Sequence, residues 1–546
     1  MMLYHVLLPA LAGLVAHHGF FIHGEWHLRT AEIIGTHLTL AALTFSALFY
    51  YVGKASVNAL VPASSTTAVM AAAYLSALFT SMTVYRLFFH ATRHFPGPKL
   101  AAVSKFWHIF HIRDSRNFLF LEKLHKQYGN LVRTGPNEIT IFHPSGIELL
   151  DGWNNENTKD VWYDVLKPRS SAIFTRDELD HKHRRKVWTQ SLSNKSMDSL
   201  RPRIAEQAHA LRRCIEEHEG HPVDLDEVMS LFSFDAMGEV VFGEDFDLMR
   251  THTMLPVIRH RDRALALLGP IADAIWIACL AFAVVPFYGR VRDWFRMVAF
   301  CEERMSQRIK RKEEHTKKDM ASFFIEEHEN LRGERSVRGR DLLLSGTSVS
   351  AVVAGSDTTR ASLIAMYWFL AKHPEHVDKI RAEIDGVDTN DANALARLPH
   401  LNAVINEVLR LVPPAMTGGG RLTGPRGLMV DGVLIPPYTK VTAPKYVIHR
   451  AESAFQYPDE FIPERWTTRP ELVRQKNAFG PFSFGTRQCI GKAVAYVELR
   501  LTTAILVQHF NIRFAPGYDP GSMWSGMRDQ VTAQPGPVLC VFEPRA

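Results

Sequence analysis

Cys489 is the residue of this chain best placed to do chemistry. It lies in the run Phe482-Ser-Phe-Gly485-Thr-Arg487-Gln-Cys489-Ile-Gly491, with a glycine on either side and an arginine two residues before it. The segment Lys492-Ala-Val-Ala-Tyr-Val-Glu-Leu-Arg500 that follows reads as a helix. A helix N-terminus and a nearby guanidinium both favour thiolate over thiol. Backbone N–H groups of a Gly-containing loop can also hydrogen-bond the sulfur. Such a thiolate suits haem iron, onto which it pushes electron density in a way that favours O–O cleavage. A lone cysteine is more often an inert core residue. The fixed spacing of Phe482, Gly485, Arg487 and Gly491 around this one lifts it above that reading.

Three other sets of residues carry chemical potential. Ala354-Gly355-Ser356-Asp357-Thr358-Thr359 sits inside a helical pattern running from Leu342 to His373. Gly costs about 1 kcal/mol relative to Ala in a helix interior, and Asp and Thr are poor choices there, so a local kink with a purpose is expected. Read alone, Asp357-Thr358 is more often a back-bond to the helix; an acid beside an alcohol also suits proton delivery. His181 and Arg185 are four residues apart on one face of a basic helix and can grip a pair of carboxylates. Lys182 and Lys186 of the same run read as a solvated face. Glu407 and Arg410 share a helix face ahead of Pro413-Pro414, and Phe461-Ile-Pro463-Glu-Arg465-Trp466 follows later.

Taken in order, these runs resemble the signatures of the cytochromes P450. Phe482, Gly485, Arg487, Cys489 and Gly491 match every fixed position of F-x-x-G-x-R-x-C-x-G; Ala354 to Thr358 match A-G-x-[DE]-T; Glu407 and Arg410 match E-x-x-R. The resemblance covers about residues 96–546. It implies a mainly α P450 fold, a helical haem domain with a small β region, preceded by N-terminal transmembrane helices. It implies haem b with Cys489 as axial iron ligand, and propionate contacts from Arg185, from His181 in place of the usual tryptophan, and from Arg421. The Thr358 hydroxyl would hydrogen-bond dioxygen and water, and Asp357 would belong to a proton relay. Glu407, Arg410 and Arg465 would form a buried structural triad with no part in the chemistry. Ala172, Ile173, Phe174, Ala354, Ala415, Met416 and Met527 are the expected pocket residues, with Arg528 beside the last.

The activity implied is that of a monooxygenase: one oxygen atom of O2 enters an organic substrate and the other leaves as water. Electrons would come from NADPH through a cytochrome P450 reductase, with cytochrome b5 as a further partner. The triple Gly418-Gly-Gly lacks the strand-to-helix context of a dinucleotide site. Trp162-Tyr-Asp-Val-Leu-Lys-Pro-Arg and Ser171-Ala-Ile-Phe-Thr-Arg-Asp look most like fungal P450s of secondary metabolism, with a weaker likeness to the tryprostatin hydroxylases. An apolar polycyclic substrate, such as an indole alkaloid, terpenoid or polyketide, is expected. Two alternatives stand: a haem-thiolate dehydratase, isomerase or peroxygenase working without reductase, and a membrane haem-binding sensor.

The elements around these residues follow from pattern. Residues 1–94 hold apolar stretches near 3–22, 33–53 and 67–85, each close to the ~20 residues that cross a bilayer, and form a membrane-anchor region of two to three spans. Arg86, Arg93, Lys99 and Lys105 follow the third, which places the next domain in the cytoplasm; the resemblance implies an endoplasmic reticulum membrane. Residues 95–114, with Pro96-Gly97-Pro98, read as a hinge and linker, and 115–546 as the catalytic domain. A helix over 118–128 and a hairpin through Gly135-Pro-Asn open that domain. Residues 151–180 form a long loop. Residues 264–288, broken by Pro270, Asp273 and Pro286, read as an apolar helix–loop–helix dipping into the membrane surface; residues 302–340, with Lys310, Arg311, Lys312, Lys317 and Lys318, read as an exposed helix end and loop.

Composition agrees with a large domain. The chain has 546 residues, 46% of them hydrophobic, and a formal charge of +6. That charge is modest for a nucleic-acid binder and fits an acidic partner or anionic lipid. Five cysteines in no paired pattern argue against a disulfide framework.

Overall fold

A computed structural model of the chain describes residues 3–545 except 55–57, 154, 272–273, 314–317 and 334, so Asp273 and Lys317 lie outside the described residues. The membrane region is three helices: α1 (Tyr4–Ala16), continued by π-helical turns over His17–Phe21; α2 (Thr30–Gly53); and α3 (Leu60–Val84), continued over Tyr85–Phe89. Two spans, His27–Gly53 and Leu60–Phe89, are long and apolar enough to cross a membrane. The first apolar stretch gives only the 13 residues of α1 before its geometry changes at the His17-His18 pair. Gly13 lies against the backbone of Tyr74 and Leu78 so closely that a Cβ would collide. Further along, His17 Nδ1 meets Ser81 Oγ at 2.8 Å, so α1 and α3 run parallel. His37 Nε2 reaches the Tyr74 hydroxyl at 2.9 Å, and Gly53 lies beside Ala59, so α2 runs against both.

The 95–114 segment is docked on the domain. Its short helices Lys99–Val103 and Lys105–His111 contact the first strand of the domain, and Pro96 O accepts from Arg133 N at 2.7 Å. Gly97 faces the Arg133 backbone with φ +152°, where a side chain has no room. Strands β1 (Leu131–Gly135) and β2 (Glu138–Ile141) form the expected antiparallel hairpin. β2 pairs in parallel with Lys440–Thr442; that strand pairs with Arg421–Leu422, and the latter with Thr158–Lys159. The last register sets Lys159 opposite Arg421, which brings two cations to one place.

The helical layer carries the rest. Leu225–Phe242, capped by Asp224 and ended by Gly243 at φ +64°, is almost wholly buried against the 36-residue helix Val337–Lys372. The latter also touches Lys492–His509, the helix that follows Cys489. The charge-rich 302–340 region differs from expectation. Met320–Asn330 is an ordered helix with Met320, Ala321, Phe324 and Ile325 buried, and it contacts the basic helix Glu178–Ser191. Those four residues have helical spacing, but lysines and acids on both sides hid it. Asp319 caps this helix and pairs with buried Arg308 at 2.7 Å. The 264–288 region ends the helix Pro256–Leu268 and forms Ile275–Val284, which meets Gly289–Lys310 at an 86° bend and makes no straight crossing.

Glu407 sits on Pro399–Leu411 at the centre of a buried lock. Its carboxylate accepts from Arg410 Nε and Nη2 at 2.9 and 2.8 Å and from Arg465 Nε at 2.9 Å. Ile462 N and Trp466 Nε1 add bonds at 3.0 and 2.9 Å. All three charged side chains are fully buried.

Candidate functional site

The cysteine loop is fixed by its backbone. Gly485 adopts φ +63°, where a Cβ would strike the Asp151 carbonyl. Cys489 N donates to Phe482 O at 2.8 Å, folding the loop into a closed turn. Gly491 caps the helix Lys492–His509. The sulfur lies deep in the domain and opens onto a cavity. Burial pushes the Cys489 thiol up; the N–H groups of Gly491 and Lys492 and the charges of Arg185 and Lys445 pull the other way without prevailing. The expected preference for thiolate is therefore not supplied by the polypeptide alone. A metal at the sulfur would complete it.

Two adjoining cavities, about 340 and 240 Å3, meet at Cys489, and Thr358, Thr359, Phe482, Arg421 and Arg487 border both. The long helix passes through Ala354–Thr359 without a break, and Ala354 and Gly355 open onto the smaller cavity. The Thr358 hydroxyl donates to Ala354 O at 2.8 Å. Asp357 faces away. It is fully buried, 3.0 Å from Arg360 and 3.4 Å from Arg261, and accepts from Gln534 Nε2 at 2.8 Å and from the Thr532 hydroxyl. Burial pushes its carboxyl up, but the Arg261 and Arg360 charges and these hydrogen bonds hold it below the usual range.

A different carboxyl reaches the cavity. Glu498, on the helix after Cys489, accepts from the Thr359 hydroxyl at 2.8 Å and borders the smaller cavity. Burial pushes it up to about 7, opposed only by that hydroxyl. The sequence reading passed over it. The available signal was an acid amid Val494, Val497 and Leu501, at helical spacing on a face that had to be buried.

Lys159, His181, Arg185, Arg421 and Arg487 crowd one side of the cavities. Burial and the neighbouring Arg421 and Arg487 push the Lys159 ammonium down to about 6; burial, Lys159 and the arginines push His181 down to about 3. Lys159 spends its donors on the carbonyls of Ala172, Ile173 and Thr175 at 2.7 to 2.9 Å. Arg421 pairs with Asp151 at 2.7 Å and donates to Tyr163 Oη at 2.6 Å; Arg487 donates to Asn157 O at 2.6 Å and pairs with Glu178. Yet Arg421 Nε and Arg487 Nε are buried without a hydrogen-bond partner. Two orphaned guanidinium donors within a cluster of like charges suit a dianion. The two propionates of a haem whose iron meets Cys489 fit that demand.

The expected pocket divides in two. Ala172, Ile173, Ala354 and Ala415 border the cavities. Phe174 instead stacks on Trp162, with ring centroids 6.0 Å apart, and Trp162 and Tyr163 take the lining position. Met416 and Met527 are corrections: both are fully buried in the core. Met416 O accepts from Tyr446 N at 3.1 Å, and the C-terminal turn presents Asp529 and Val531 to the cavity in place of Met527 and Arg528. Met416 lies between the lining residues Ala415 and Thr417 and takes the other side; Met527 instead closes the short helix Gly521–Gly526 before the extended segment begins. Lys445, fully buried, also borders the larger cavity and was not expected.

Comparison with known proteins agrees with this geometry. The family model described as Cytochrome P450 matches residues 96–541. Tryprostatin B 6-hydroxylase of Aspergillus fumigatus is 31% identical over 530 residues, 95% of this chain and 92% of that protein. The cytochrome P450 monooxygenase phqL of Penicillium fellutanum is 30% identical over 98% of this chain and 94% of its own. The monooxygenase notG' of Aspergillus versicolor is 32% identical over 96% and 95%. With its cysteine loop, threonine helix and buried Glu407–Arg410–Arg465 lock in the expected places, the chain belongs to the cytochrome P450 family and is a P450 monooxygenase.

Proposed function

We propose that this enzyme inserts one oxygen atom of O2 into a hydrophobic small molecule, a hydroxylation in fungal secondary-metabolite biosynthesis, with NADPH as electron source through a cytochrome P450 reductase. Cytochrome b5 is a second candidate donor. One observation carries the reading: the Cys489 sulfur and the Thr358 hydroxyl border the same cavities, whose remaining walls are largely apolar. Haem held through Cys489 supplies the oxygen chemistry.

The chain's own groups do the rest. Arg185, Arg421 and Arg487, with His181, bind and orient the propionates, while Lys159 holds the loop behind them. Phe482, Ile173 and Val240 keep water from the reaction space. Thr358 offers a hydroxyl that can leave Ala354 O to hold a water or pass a proton. Glu498, pushed up to about 7, holds a proton at Thr359 near neutral pH. Asp357 enters a relay only by turning away from Arg261 and Arg360. Arg86, Arg93, Lys99 and Lys105 beyond α3 support a domain facing the cytoplasm from the endoplasmic reticulum membrane.

The test is turnover with reductase, NADPH and isotopically labelled O2 across apolar indole alkaloids, terpenoids and polyketides. One labelled atom per product molecule is expected. Product formed without O2 consumption would favour a dehydratase or isomerase, and product formed from peroxide alone a peroxygenase.

A further inference from the structure

A second charge network, exposed at Glu25 and buried at Asp164, lies where the membrane helices meet the domain. The turn between α1 and α2 carries Glu25 and His27. Glu25 accepts from both terminal nitrogens of Arg176, at 2.6 Å each. His27 Nε2 lies 2.9 Å from Asp164 Oδ2. Arg176 joins the pairs by donating to the same Asp164 oxygen at 2.8 Å, and Lys167 Nζ takes the other at 3.0 Å. Asp164 is 2% exposed. A bidentate Arg–carboxylate pair fixes orientation, and a partly buried network holds better than an isolated surface pair.

Asp164 and Arg176 belong to the 159–176 loop, a wall of the cavities through Trp162, Tyr163 and Ile173. That loop is closed on itself: Lys159 Nζ holds three of its carbonyls, and Arg176 Nε donates to Lys159 O at 3.2 Å. Its outer edge is bolted to the membrane turn. The apolar helix Ile275–Val284 completes the junction, touching α2, the His27–Arg29 turn and residues 161–166. Just past its end, Phe287 and Tyr288 are 86% and 80% exposed. A simple tether has no use for ion pairs to a buried aspartate of a pocket loop.

We propose that Glu25 and His27 are positioning residues of the substrate site. Through Arg176 and Asp164 the membrane turn holds the 159–176 wall of the cavities in place. This rests on the cavities being the haem and substrate site.

The test uses full-length protein in lipid nanodiscs and two azole probes read by their Soret shift. Clotrimazole partitions into lipid and fills the pocket; imidazole is small, enters from water and ignores the wall. In the E25Q/H27Q double variant the clotrimazole Kd should rise roughly fivefold or more, while the imidazole Kd changes less than about twofold. R176K, which keeps the charge and loses the fork, should move clotrimazole in the same direction. Equal clotrimazole Kd values in wild type and variant overturn the proposal and leave the haem reading intact. No shift with either azole in wild type overturns both. Should the double variant fail to fold, R176K decides alone: an unchanged clotrimazole Kd in that variant overturns the proposal.

Discussion

Replacing Glu498 with Gln should change how stability depends on pH, and the sign follows from burial. In the folded chain the carboxyl is pushed from an ordinary 4.5 to about 7. The folded state therefore binds a proton more tightly than the unfolded one. Below the unfolded value both states are protonated and the group costs nothing. As pH rises from about 4.5 to 7 the unfolded state gains by ionising first, and above 7 the penalty is constant. The full shift corresponds to about 3 kcal/mol at pH 8 and under about 1 kcal/mol at pH 5. Glutamine keeps an acceptor for the Thr359 hydroxyl and cannot ionise. Whatever pH-independent cost its NH2 group brings, the stability of E498Q relative to wild type should improve by about 2 kcal/mol between pH 5 and pH 8. Urea unfolding of detergent-solubilised holoprotein at several pH values measures it. Parallel curves for the two proteins would refute a carboxyl that titrates near neutrality.

Other substitutions test other parts. Glu407→Gln leaves Arg410 and Arg465 buried beside a neutral amide, at a cost of about 3–5 kcal/mol; wild-type denaturation and haem retention in that variant would contradict the buried lock. Thr358→Ala should consume NADPH while product per NADPH falls roughly a hundredfold, the low end of what positioned proton transfer contributes; coupled turnover would count against the hydroxyl. Gly485→Ala puts a side chain at positive φ and into the Asp151 carbonyl, beside the Asp151–Arg421 pair. It should sharply lower the fraction of protein that retains haem, and full loading would show that the loop tolerates the change.

The parts of the site that were legible in sequence are those set by rigid local geometry. Gly485 must be glycine because its φ is positive and the Asp151 carbonyl approaches closely, so its spacing from Cys489 is readable. Glu407 and Arg410 announce themselves by helical spacing and a partner in Arg465. Positions fixed by tertiary contact were not legible. Phe174 and Trp162 exchange roles because the loop turns on Lys159, whose three carbonyl bonds have no local pattern. Met416 sits one residue from lining positions on either side, and a slip of one residue in extended chain reverses the side; Met527 is set by the end of the helix Gly521–Gly526, which no pattern marked. Asp357 matched its motif, yet Arg261 and Gln534, remote in sequence, decide where its carboxylate points. The membrane region shows the same limit. Hydropathy marked the apolar stretches, but that α1 lies parallel to α3 depends on Gly13 and His17 meeting particular residues.

The central claim is that the Cys489 sulfur is the ligand of a haem iron. The most direct test is the absorption spectrum of the dithionite-reduced protein under carbon monoxide, with Cys489→Ser beside it. The account predicts the long-wavelength Soret band of thiolate ligation in the wild type and its disappearance in the variant. A band at the shorter wavelength of nitrogen-ligated haem in the wild type, or an unchanged band in Cys489→Ser, would contradict it.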